Sequence, residues 1–151
     1  MTDKWDLRFI NLAEHIAGWS KDPSTQVGAV IVDPTTRKVV SMGFNGFPRG
    51  VDDSDDRLQN REKKLSYMVH AEENAILQAG QSVAGCNIYI HPTIMIPACC
   101  AHCAKLIVQS GIKNVYGRKA YSTSDRWEDQ AKISATILWE GGVNYIEVDN
   151  G

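Results

Sequence analysis

Apolar residues recur at intervals of three and four along WDLRFINLAEHIAGWS, placing Phe9, Leu12, Ala13 and Ile16 on one face and predicting a helix before the Asp22-Pro23 break. The next apolar runs, VGAVIVD and KVVSMGFN, are rich in β-branched residues and flank the turn residues Pro34 to Arg37, the pattern of a hairpin. From Gly46 to Arg61 the chain is turn-rich and acidic, carrying Asp52, Asp53, Asp55 and Asp56, and reads as an ordered surface loop. HAEENAILQAG then has helical spacing and a glycine stop at Gly80. NIYIH is a strand, Cys103 to Ser110 a helix stopped by Gly111, and VYG a short strand. A last helix around Glu128 to Glu140, closed by Gly141-Gly142, leads into VNYIEVD as the final strand.

A helix, a hairpin, then strands alternating with helices is the order of an α/β sandwich around a mixed sheet of about five strands. The helix between the last two strands requires them to run parallel. No repeat, low-complexity tract or Pro/Ser linker divides the chain, so its 151 residues are read as one domain, 1–151.

Charge narrows the partners. Sixteen Lys and Arg stand against 18 Asp and Glu, a formal net charge of −2, without the basic surplus that a polymeric nucleic-acid partner favours. No stretch reaches the roughly 20 apolar residues of a membrane span, and MTDKWDLRF lacks the charged-then-apolar layout of a signal peptide, so a cytoplasmic location is expected. The cysteines are at 86, 99, 100 and 103. Three of them crowd around His102, which points to metal or redox chemistry rather than a disulfide framework, whereas Cys86 reads as a small buried hydrophobe.

The sharpest pattern is His70-Ala71-Glu72 at one predicted helix start, combined with Cys100-Ala101-His102-Cys103 at another. An H-x-E followed by a C-x-x-C is the signature of zinc-dependent base deaminases. Thiolates at Cys100 and Cys103 face one side of a helical first turn, and His70 supplies a third ligand, leaving one tetrahedral position open to water. Helix N-termini add positive potential that favours ionised cysteines. Glu72 is placed to move a proton from the activated water to the ring nitrogen and on to departing ammonia.

Rival readings of the same residues are a structural zinc site completed by Cys99 or His102, and a CAHC redox pair, which lacks the strand context of a thioredoxin-like fold. His91 and His102 are read as strand-end and helix-surface residues outside the site, His15 as solvent-facing, and Glu73 as ordinary helix surface.

Beyond the metal motif, Asp22-Pro23-Ser24-Thr25-Gln26-Val27-Gly28, Gly43-Phe44-Asn45-Gly46-Phe47-Pro48-Arg49-Gly50 and the run from Cys103 through Lys113 carry a family likeness over nearly the whole chain. The chain resembles the cytidine and deoxycytidylate deaminase superfamily, most closely its dCMP deaminases. That resemblance implies a three-layer cytidine-deaminase-like sandwich and hydrolysis of dCMP to dUMP and ammonia for thymidylate synthesis. His70, Cys100 and Cys103 match the zinc ligands and Glu72 the acid/base. Asn45 matches a residue reaching the sugar and base, and Ser24 and Tyr121 match residues near the phosphate. Ser24 and Tyr121 could equally be turn or cap partners, and Asn45 a turn residue.

The sequence departs from the family pattern where Pro97 is followed by Ala98 and Cys99 before Cys100. Cys99 thereby competes as a ligand, while the two-residue gap to Cys103 favours Cys100. The resemblance further implies a homo-oligomer, a hexamer, activated by dCTP and inhibited by dTTP through the segment 47–61, with Arg49 and Arg61 as effector residues. Alternatives are deamination of another small base such as cytidine or guanine, a tRNA adenosine deaminase, whose substrate would want a basic surface, and a non-catalytic structural-zinc protein.

Overall fold

The computed structural model describes residues 3–120 and 125–149. Five strands form one mixed sheet in the order β2-β1-β3-β4-β5. β1 (Gly28–Val32) and β2 (Val39–Phe44) make the expected antiparallel hairpin, Gly28 opposite Phe44. β3 (Asn87–His91) is antiparallel to β1, with Gly28 opposite His91. β4 (Asn114–Arg118) and β5 (Asn144–Val148) continue in parallel, so the expectation of a parallel final pair holds.

Every residue of β1 is buried, because helices cover both faces of the central strands. On one face lies α1 (Lys4–Ala17), capped by Asp3, packing Phe9, Ile10 and Ala13 against Val30, Val32 and Tyr89. On the other lie α4 (Ala71–Gln78), α5 (Ala101–Ser110) and α6 (Glu128–Glu140), whose Ala75, Ile107 and Leu138 join Ile31, Ile88, Ile90 and Val115 in the larger core. Each fully buried isoleucine in that core contributes roughly 1.5–3 kcal/mol of transfer free energy. Cys86 is buried there too, as a small apolar residue.

Glycines set two of the helix-to-sheet distances. A Cβ on Gly43 of β2 would come within 2.6 Å of Ala75 N and 2.7 Å of Ala71 O, both backbone atoms of α4, so only glycine admits α4 this close. Gly28 of β1 has the same relation to the backbone of α1 at Ala13 and Ala17.

The expectation of a loop from Gly46 to Arg61 is corrected by α2 (Asp55–Gln59), which lies inside it, and α3 (Arg61–Tyr67) begins at its end. Asp55 and Asp56, which look like loop residues by composition, occupy the first turn of α2, where carboxylates are stabilised by the helix dipole. Leu58 anchors this turn in the interior, and the Asn60 side chain caps α3 by accepting from Lys63 N.

One end of the sheet gathers the start of β1 and the ends of β2 and β3, as the registers Gly28–Phe44 and Gly28–His91 require. Parallel pairing brings the end of β4 to the same side. Ligand sites in α/β sheets form outside such strand ends, where strand order reverses.

Candidate active site

A cavity occupies that end of the sheet. Its wall is built from Asp22, Thr25 and Val27 before β1, Asn45 after β2, Pro92, Ile94, Met95 and Ala98 after β3, His70 to Glu72 at the start of α4, and Cys100 at the start of α5. Arg61, Lys64 and Leu65 of α3 and Trp127 enclose it from the other side. An antiparallel bridge between Gly46 and Val69, with hydrogen bonds of 3.1 and 2.7 Å, ties the β2 exit to the residue preceding His70.

His70 is the N-cap of α4 and Cys100 the N-cap of α5, so the two helix starts converge. His70 Nδ1 lies 3.2 Å from Cys103 Sγ and 3.4 Å from Cys100 Sγ, and the three candidate donor atoms lie within 4.8 Å of one another. A nitrogen and two sulfurs in a tight, half-buried triangle match the borderline-soft preference of zinc and leave a tetrahedral position toward the cavity. The chain's residues fit the metal.

The protonation pattern supports the same use. A hydrogen bond from Cys103, assisted by His70, brings the Cys100 thiol down to about 4, so it is a thiolate at neutral pH. The hydrogen bond to that thiolate, with burial opposing it, lifts His70 to about 9. Cys103 is pushed up by its hydrogen bond to Cys100 and by burial, and carries the proton of the pair. A divalent cation would displace these protons and hold both sulfurs as thiolates.

Glu72 lines the cavity beside this triangle and is only 5% exposed. Burial raises its carboxyl above the usual range, with a hydrogen bond shared with Cys103 working in the opposite direction. A carboxyl raised in this way is a better proton acceptor than an ordinary carboxylate and can return the proton it takes.

Cys99 does not join the triangle. It is buried, its thiol lies 3.6 Å from Ser134 Oγ, and burial pushes it up to about 12. The competing Cys-x-x-x-Cys set thus has its first sulfur turned toward α6, while Cys100 faces His70.

Asn45 lines the cavity, yet its amide is heavily engaged: Oδ1 accepts from Val27 N at 2.9 Å, and Nδ2 donates to Thr25 O at 2.9 Å. Ser24 Oγ meets the Lys64 ammonium at 2.6 Å and donates to Asp22 Oδ1 at 3.2 Å. Lys64 also bonds Asp22 Oδ1 at 3.0 Å, a pair buried in the cavity wall. Sequence reasoning missed Lys64, since a lysine in a polar helix reads as surface. Arg61, expected in an effector segment, lines the cavity with Glu72 and makes no hydrogen bond or ion pair among the described residues. Arg49 is exposed, and Tyr121 lies outside the described residues.

Glu73 is not the plain helix-surface residue its position suggests. Its carboxylate accepts from His70 N at 3.2 Å in a capping box and pairs with His102 Nε2 at 3.0 Å. His102 correspondingly is more than a solvated helix residue, although it stands outside the triangle. His91 stays at its strand end, held by Arg118 and 3.7 Å from Glu14.

The sandwich and the His-Cys-Cys-Glu cluster define a zinc-dependent base deaminase. Residues 3–118 match the family described as "Cytidine and deoxycytidylate deaminase zinc-binding region", and the chain belongs to that family. An Aliivibrio fischeri protein named "Uncharacterized deaminase in luxG 3'region" is 43% identical over 144 residues, covering 95% of this chain and 92% of its own length. The deoxycytidylate deaminase of Mus musculus is 40% identical over 143 residues, covering 89% of this chain and 73% of that protein. The crystal structure of the dCMP deaminase from cyanophage S-TIM5 in complex with dCMP and dUMP superposes over 98% of this chain and 99% of its own with a TM-score of 0.73. At 24% identity that likeness shows the shared fold.

Proposed function

We propose that this chain hydrolyses dCMP to dUMP and ammonia, with His70, Cys100 and Cys103 holding zinc and Glu72 moving the proton. The observation that carries the proposal is the buried Glu72 carboxyl set beside the His-Cys-Cys triangle inside one cavity. Relatives named deoxycytidylate deaminase, 40% identical in mouse and 38% in human over most of this chain, support dCMP as the substrate. His70, Cys100 and Cys103 would hold a zinc ion there, which would supply an acidified water for attack on the amine-bearing carbon of cytosine.

The chain's own groups do the remainder. Glu72 takes one proton from the water and passes it to the ring nitrogen. It then takes the second from the new hydroxyl on the ring carbon and delivers it to the amine, which leaves as ammonia while the carbonyl forms. The apolar wall from Pro92, Ile94, Met95 and Ala98 excludes bulk water from the ring and strengthens the charge interactions within. Arg61 and Lys64, one helical turn apart on α3 and both lining the cavity, supply positive charge for a phosphate. Ser24 sits on the Lys64 ammonium in the same neighbourhood. Asn45, which lines the cavity and secures the β1 entry through Val27, Thr25 and Asp22, is proposed as the residue that meets the sugar and base. Tyr121 is proposed as a further phosphate partner.

The proposal extends to one domain over 1–151 acting in the cytoplasm, a hexamer, and regulation by dCTP and dTTP through the segment containing Arg49 and Arg61. No helix among the described residues is long and apolar enough to cross a membrane. Ammonia release from dCMP, CMP, deoxycytidine, guanine and a tRNA stem-loop tests the substrate, dCMP being turned over with the highest kcat/KM. A higher kcat/KM for deoxycytidine than for dCMP would sink the nucleotide assignment. Rates at subsaturating dCMP that ignore both triphosphates would sink the regulatory one.

A further inference from the structure

Glu73 and His102 stand one on each of the two helices that deliver the metal-facing side chains. One carboxylate oxygen of Glu73 accepts from the His70 backbone N–H at 3.2 Å, and the other lies 3.0 Å from His102 Nε2. The His102 ring meets the His70 ring edge-on, centroids 5.9 Å apart at 78°. His70 Nδ1 faces both sulfurs of α5. These contacts close a circuit: from α4 through Glu73 and His102 into α5, then back through Cys100 and Cys103 to His70. Glu73 thereby holds the backbone of His70 while His102 limits the tilt of its ring.

We propose that Glu73 and His102 are positioning residues for the metal centre, a tie across the two helix starts that sets His70 against Cys100 and Cys103. This rests on the zinc-deaminase assignment above. A capping carboxylate alone would serve α4 without reaching α5, and the bond to His102 adds the second helix. Groups that orient metal ligands in this way change metal affinity by about 10- to 100-fold. His102 is half exposed, so its replacement leaves the core intact.

The test compares zinc affinity, by competition with a chromophoric chelator, in the wild type, His102→Ala, His102→Gln, Glu73→Ala and the double variant Glu73→Ala/His102→Ala. Cobalt(II)-loaded spectra of the same proteins report ligand geometry. His102→Ala is expected to weaken zinc binding about 10-fold and shift the cobalt bands. His102→Gln, whose amide still donates to Glu73, recovers most of the affinity. The double variant is no weaker than the poorer single one, because both remove the same tie. Zinc affinity of His102→Ala within about twofold of wild type, with unchanged cobalt bands, would overturn the proposal. Should Glu73→Ala not fold, the two His102 variants decide alone. A wild type that binds no zinc would instead defeat the deaminase assignment, leaving the two failures distinct.

Discussion

The Lys64 ammonium lies 3.0 Å from Asp22 Oδ1, with both side chains withdrawn from solvent and Ser24 Oγ completing the contact. This pair spans 42 residues of sequence and fastens α3 to the segment entering β1, so the cavity wall depends on it. Removing one partner leaves the other charge buried and uncompensated. Lys64→Met is therefore expected to cost about 3–5 kcal/mol, measured by urea unfolding.

The same pair gives a pH dependence. Burial pulls the Asp22 carboxyl upward, but the backbone N–H groups of Thr25 and Ser24 together with Lys64 outweigh it and hold the group below its ordinary value. A depressed carboxylate contributes stability above its unfolded pKa and loses it as pH falls through the folded one. The stability gap between wild type and Asp22→Asn should be constant above about pH 5 and shrink below about pH 4. A gap that widens on acidification would contradict this sign.

Cysteine replacement separates neighbouring sulfurs. Cys100→Ser should lose zinc, because its thiolate is the one facing His70 at 3.4 Å. Cys99→Ser should keep one zinc per chain and lose only packing against Ser134. Metal counting on the purified variants checks both, and retained zinc in Cys100→Ser with loss in Cys99→Ser would reverse the ligand set.

Much of this was legible beforehand because it depends on local spacing. Strands rich in Val and Ile, the Gly80 and Gly111 stops, and the H-x-E and C-x-x-C offsets each carry their own signal. Contacts between distant segments carry none. Glu73 and His102 are 29 residues apart and meet only because α4 and α5 converge, so Glu73 reads as surface until that convergence is seen. α2 was hidden for a different reason, since aspartates that favour a helix's first turn are also common in loops.

Gly43→Ala tests the close approach of α4 to β2. An added methyl would sit 2.6 Å from Ala75 N, and backbone on both sides leaves nothing flexible to yield. Overpacking of this kind costs about 1–3 kcal/mol. Because α4 carries His70 and Glu72, the shift should also lower zinc affinity and kcat, whereas Gly46→Ala, with open space around its Cβ, should leave zinc affinity unchanged.

Glu72→Gln isolates proton transfer from metal binding. The amide keeps the shape of a buried side chain beside the triangle but neither accepts nor returns the proton. Zinc content should match wild type while kcat for dCMP falls about 10²- to 10⁴-fold. Undiminished ammonia release from the variant would remove Glu72 from the chemistry.

Arg61→Met addresses substrate choice. The guanidinium lines the cavity from the first turn of α3 and has no hydrogen bond or ion pair among the described residues, so its charge is free for a ligand. A charge-assisted hydrogen bond to phosphate is worth roughly 1.5–3 kcal/mol, which corresponds to about 10- to 100-fold in kcat/KM. The loss should fall on dCMP, chiefly through KM, and should leave the slow reaction with deoxycytidine nearly unchanged because that substrate has no phosphate to lose. Lys64 is a poorer choice for this experiment, since its buried pairing with Asp22 would mix stability with recognition. If Arg61→Met instead leaves dCMP kinetics intact and abolishes the response to dCTP, then Arg61 serves an effector, and the phosphate must be met by Lys64, Ser24 or Tyr121.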